Sequence, residues 1–110
     1  MKYATYILCI AIFSGFLACK KNSSTTSCNS SEAYTSGIKS IIDNTCMGSG
    51  CHGANSYLGD FTSYAGLKTV LSNGAFKREV ITKKTMPKGS SLSTSDYNKI
   101  NCWLNNGFPE

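Results

Sequence analysis

Cys46-Met47-Gly48-Ser49-Gly50-Cys51-His52 is the stretch on which the reading of this chain turns. It holds two thiols, a histidine directly after the second of them, and a four-residue spacer with two glycines. Covalent attachment of a haem needs one thiol per vinyl group and an imidazole beside the second thiol. That imidazole then lies under the iron as the proximal ligand. The usual spacing is C-x-x-C-H. Here it is C-x-x-x-x-C-H, so the spacer Met47 to Gly50 must bulge between the two attachment points. Cys46 and Cys51 are the candidate thioether residues and His52 the candidate proximal ligand.

The residues on either side read as helices. From Glu32 to Thr45, Tyr34, Ile38, Ile41, Ile42 and Thr45 recur at helical spacing and make one apolar face, so a helix delivers the chain into Cys46. Gly37 weakens it slightly. Met47 to Leu58 carries Gly48, Gly50 and Gly53 and reads as a tight loop. Thr62 or Ser63 can cap a second helix with Tyr64, Leu67, Val70 and Leu71 as its stripe and Gly74 at its end. Ala75 to Thr85 is mixed, with a short helical turn at Val80 and Ile81. Met86-Pro87-Lys88-Gly89 is a loop, because proline holds residue 86 out of helical geometry. In the last helix Ser93 is the N-cap with Asp96 at N3, and Leu92 and Tyr97 stand at staple positions. Tyr97, Ile100, Trp103 and Leu104 form its buried face, and Gly107 and Pro109 end it. No β-alternation stands out, and the expected fold class is all-α.

The N-terminus reads as a targeting segment. Lys2 supplies the positive charge, Tyr6 to Leu17 is an apolar run, and Ala18-Cys19 stands where a lipobox would end. The expected organisation is a lipoprotein signal peptide at 1–18, a flexible Ser/Thr/Asn-rich tether at 19–31 starting from a lipidated Cys19, and one small domain at 32–110. Ordinary secretory cleavage, with Cys19 free, is the alternative. Either way the chain is exported to an oxidising compartment. The net charge is +5. There is no arginine-rich stretch, and an exported lipoprotein seldom meets nucleic acid, so nucleic acid is not an expected partner.

The six cysteines partition without remainder. Cys9 leaves with the signal peptide, Cys19 takes lipid, Cys46 and Cys51 take haem, and Cys28 and Cys102 are left to form one disulfide. A haem-free protein with Cys28, Cys46, Cys51 and Cys102 in two disulfides is the rival, and sequence does not choose among its pairings. A zinc site from Cys46, Cys51, His52 and Cys102 is a weaker rival, since adjacent residues have difficulty supplying two corners of a tetrahedron.

The distal ligand follows by elimination. His52 is the only histidine. Met1 is cleaved, and Met47 sits between the two thiols. Met86 remains, in a loop before the last helix, and its thioether suits haem iron. A packing methionine is the plain alternative.

Taken in order, these parts resemble the class I cytochrome c family, and most of all its small exported monohaem lipoproteins. The helix Ile38 to Asn44 leads into Cys-Cys-His-Gly. Tyr64, Leu67 and Lys68 follow, then Met86, Pro87 and Gly89, Leu92 and Ser93, and last Ile100, Trp103, Leu104 and Gly107. The resemblance covers most of residues 33–108. It implies that the first and last helices pack around one covalent haem c, with Ile38, Ile41 and Ile42 meeting Ile100, Trp103 and Leu104. It also implies thioethers at Cys46 and Cys51 and axial ligation of the iron by His52 and Met86.

The expected function is electron transfer rather than catalysis, by a protein lipid-anchored in the periplasm or outer membrane of a Gram-negative bacterium. Lys77, Arg78, Lys83, Lys84 and Lys88 flank the Met86 loop. They could steer an acidic redox partner or simply form a solvated face. Two other classes stay open. One is a haemless, disulfide-bonded surface lipoprotein acting as a binding or structural module. The other, ranked last for want of a distal acid, is a haem enzyme or gas sensor with Met86 off the iron.

Overall fold

A computed structural model of the chain describes Cys28 and residues 31–110. The expected signal peptide, Cys19 and most of the expected tether lie outside the described residues. Among these there is no strand, and the class is all-helical as expected. No described helix is long and apolar enough to cross a membrane.

The first helix is shorter than the periodicity predicts. Gly37 adopts φ +148°, outside helical geometry, so Tyr34–Ile38 forms a wide turn and the regular helix α1 is confined to Lys39–Thr45. Glycine reaches this φ without the penalty a Cβ imposes. Ser36 accepts a hydrogen bond from the Ala33 amide at 2.8 Å and so begins the turn. The apolar pattern survives the break: Tyr34, Ile38, Ile41 and Ile42 are all buried.

Helix α2 (Tyr64–Ser72) starts at Ser63, whose hydroxyl accepts from the Gly66 amide, and stops before Gly74 at φ +75°. A one-turn helix α3 (Ala75–Lys77) runs into a second wide turn, Arg78–Thr82. Helix α4 (Thr94–Asn105) has the cap read from its sequence: the Ser93 hydroxyl accepts from the Asp96 amide at 3.1 Å and donates to its carboxylate at 2.8 Å.

These elements close on one core. Ile38, Ile41 and Ile42 share it with Ile100 and Trp103, while Leu104 packs at its edge. Burying an aliphatic or aromatic side chain of this size stabilises by about 1.5–3 kcal/mol. Trp103 is fully buried and stands edge-on to Phe76. The C-terminal turn ties the ends of the domain together. The Pro109 carbonyl accepts from both the Tyr34 amide at 2.9 Å and the Trp103 indole at 2.8 Å. The Phe108 carbonyl accepts from the Tyr64 hydroxyl at 2.8 Å. Cys28 and Cys102 form the expected disulfide, with Cα atoms 5.1 Å apart, which pins the start of the domain to α4.

Candidate functional site

The chain beyond α1 folds back on itself through short backbone bonds. Cys46 caps α1, its amide donating to the Ile42 carbonyl at 2.8 Å. The His52 amide then donates to the Cys46 carbonyl at 3.1 Å, and the Cys51 amide donates to Gly48 at 2.9 Å. The four-residue spacer is therefore a closed loop that returns Cys51 and His52 to the end of α1. The Ser56 hydroxyl donates to the Cys51 carbonyl and secures the return. Past it, the Phe61 amide donates to the His52 carbonyl at 2.9 Å.

His52 is held on two sides. Its ring stacks on Phe61 with centroids 3.9 Å apart and planes within 3°. Its Nδ1 lies 3.3 Å from the Gly59 carbonyl. A carbonyl only accepts, so Nδ1 is the donor in this contact, and in the neutral ring the lone pair is then on Nε2. That tautomer suits an imidazole that binds a metal. Gly59 is required here: it sits at φ +109°, and a Cβ on it would stand 3.2 Å from the Phe61 ring and 3.8 Å from His52 Nδ1.

One cavity of about 270 Å³ brings the sequence-predicted residues together. Cys46, Cys51 and His52 line it from the α1 end, and Met86 lines it from the loop before α4. The walls between them are mainly apolar, with Phe61, Val70, Phe76, Val80, Leu92 and Ile100. Cys46 and Cys51 are free thiols. Burial pushes the Cys46 thiol up, the Thr45 hydroxyl 3.5 Å away works against that, and Cys51 nearby adds to the rise. Cys46 is thereby kept as the neutral thiol, the less reactive form. Of the expected basic rim, Lys88 alone lines the cavity. Lys77 bonds Asn105, Lys84 lies over the Tyr97 ring, and Arg78 and Lys83 pair with Glu79.

Glu79 is the residue the sequence reading missed. It lines the same cavity, and the Arg78 guanidinium, the Thr85 hydroxyl and Lys83 all converge on its carboxylate. The hydrogen bonds from Thr85 and Arg78 depress its pKa from 4.5 to about 2. One signal was present: Glu79 is the sole acidic residue between Ala75 and Lys88, among five basic ones.

The zinc alternative is not assembled. Cys102 is bonded to Cys28, and no group of three or more His, Cys, Asp or Glu side chains that could hold a metal ion occurs among the described residues. The donor set does fit a haem: two free thiols, an imidazole with a free Nε2 and a thioether around an apolar-walled cavity. No protein-family description, no characterised protein and no solved structure matches this chain.

Proposed function

We propose that this protein is a monohaem c-type cytochrome, an electron carrier of the class I fold anchored to a membrane through lipid on Cys19. The observation that supports this best is the convergence of Cys46, Cys51, His52 and Met86 on one apolar cavity. Met86 is thirty-four residues from His52 in sequence, and chain proximity does not account for its place on the same cavity.

In this reading Cys46 and Cys51 form the thioether bonds, and the closed loop between them absorbs the wider spacing. His52 presents Nε2 while Gly59 and Phe61 fix its ring. Met86 would hold the haem with its thioether sulfur from the loop before α4, and a thioether ligand would raise the reduction potential. When bound, the haem supplies one-electron chemistry, its iron alternating between ferric and ferrous states. The apolar walls around it keep water away and hold the potential up. Lys88 at the cavity gives an acidic redox partner a local positive target.

The test is the absorption spectrum of the full chain, purified from a host with haem-attachment machinery and followed by a pyridine haemochrome assay on denatured protein. The expected result is a sharp α-band on reduction that survives denaturation, with the weak far-red charge-transfer band of thioether ligation in the oxidised form. Absence of haem, from a host that matures other c-type cytochromes, refutes the proposal. Haem without the far-red band removes Met86 as a ligand.

A further inference from the structure

The segment that carries Met86 is not held by core packing alone. Thr85 and Met86 follow the wide turn Arg78–Thr82, and both return to one residue of that turn. The Glu79 carbonyl accepts from the Thr85 amide at 2.9 Å and from the Met86 amide at 3.3 Å. The Glu79 carboxylate accepts from the Thr85 hydroxyl at 2.6 Å through Oε2. Its other oxygen, Oε1, accepts from Arg78 Nε at 2.8 Å and lies 3.6 Å from Lys83 Nζ. The main chain of Glu79 thus holds both Thr85 and Met86, its side chain holds Thr85 a second time, and two cations hold that side chain.

The arrangement has a direction. Arg78 precedes Glu79 on its own turn and Lys83 follows just past the end of that turn, so the carboxylate is held from both sides by near neighbours in sequence. Thr85 is then the only one of its partners that belongs to the Met86 loop. Hydrogen bonds to an ionised acceptor are the stronger kind. Val80, next to Glu79, is buried in the core, which fixes the base of the clamp.

We infer that Glu79, acting through Thr85, is the positioning residue that holds Met86 at the cavity wall. The inference rests on the reading of Met86 as the distal ligand, but the clamp itself can be measured without haem. Glu79 touches no iron and does no chemistry. It limits the excursions of the segment that bears the sulfur, so that a weak thioether ligand stays within reach.

The experiment uses the full chain in detergent, as the parent and as Thr85→Val, Thr85→Ser and Glu79→Ala. In haem-free protein, hydrogen exchange of the Thr85 and Met86 amides is read by NMR, with the Ile100 and Trp103 amides of α4 as the control for global folding. Thr85→Val and Glu79→Ala are expected to speed exchange at residues 85 and 86 by about tenfold, leaving α4 unchanged, and Thr85→Ser to restore parental rates. In haem-loaded protein the same two variants should lose most of the far-red charge-transfer band at unchanged covalent haem content, with Thr85→Ser again restoring it. Parental exchange rates and a parental band in Thr85→Val, an isosteric change at an exposed position, overturn the inference while leaving the cytochrome reading intact. Faster exchange in a chain that never takes up haem keeps the clamp and refutes the cytochrome.

Discussion

Replacing Gly66 by alanine gives the sharpest test of how the site is built. Gly66 lies in the first turn of α2, where glycine is a poor choice: alanine in a helix interior is normally favoured by about 0.8–1 kcal/mol. Here the sign should reverse. A Cβ on Gly66 would fall 1.9 Å from the Asp60 carbonyl oxygen and 3.0 Å from its carbon, so main chain must move. Asp60 cannot yield easily, because its carboxylate is bonded by the Thr62 amide at 2.9 Å and by the Asn55 amide at 3.3 Å. Overpacking against a fixed group costs about 1–3 kcal/mol, and backbone contact argues for the upper end. Subtracting the propensity gain leaves a net loss of about 2 kcal/mol. For a domain of this size that is a fall in Tm of roughly 8–16 °C. The assay is urea and thermal unfolding by far-ultraviolet circular dichroism. Gly53→Ala serves as control: its Cβ would have nothing nearer than the Met47 carbonyl at 4.0 Å, and its change should stay within about 0.5 kcal/mol. A Gly66→Ala protein as stable as the parent, or more so, would refute the reasoning. It would mean that α2 is not pressed against the Asp60 backbone, and that Phe61, which stacks on His52, is not set by that contact.

Three further outcomes are expected. Gly59→Ala should destabilise by about 1–3 kcal/mol through strain at φ +109°, and NMR of the His52 ring should show Nδ1 loosened from its carbonyl; an unchanged ring spectrum would count against the orienting role of Gly59. Cys102→Ser opens a cross-link between residues 74 apart and should cost about 4 kcal/mol on the chain-entropy account, measured by denaturant unfolding under non-reducing conditions; a loss under about 1 kcal/mol would argue that the bond does not constrain the unfolded chain. Hydrogen bonds hold Glu79 at about 2 against an ordinary 4.5, and hold Asp60 below its ordinary 3.8. Both groups bind protons more readily when unfolded, so their contribution is complete above those ordinary values and is lost as pH falls through the folded ones. Tm should therefore be level from neutral pH to about 5 and decline below it, and Thr85→Val should shallow the decline. A decline of the same depth in Thr85→Val would remove the Thr85 bond as its source.

Several elements were legible because they depend on neighbours in sequence. The Ser93 cap with Asp96, the Ser63 cap of α2 and the stop at Gly74 involve groups within a few residues of one another, where spacing and residue type decide the geometry. The helix expected over 32–45 was legible only in part. Its apolar face was right, but glycine is silent about which φ it will take until packing selects one. At Gly37 packing selected +148° and broke the helix at Lys39. Glu79 was invisible for a different reason: a single acid among lysines reads as a solvated charge until the chain returns Thr85 to it.

By itself the sequence determined the residue types that can hold a haem, the helical class, and the cysteines left over for a disulfide, because thiol count, apolar period and capping chemistry are properties of the chain. Only the tertiary structure decided that Met86 shares a cavity with Cys46, Cys51 and His52, that Phe61 and Gly59 fix the imidazole, and that Glu79 reaches the Met86 loop. The last of these spans only six residues and is set where the chain turns back after Thr82. The first juxtaposes groups brought close by burial of Ile38, Ile42, Leu67, Ile100 and Trp103 in one core. That burial is non-directional and sums over the whole domain, so no local pattern specifies it.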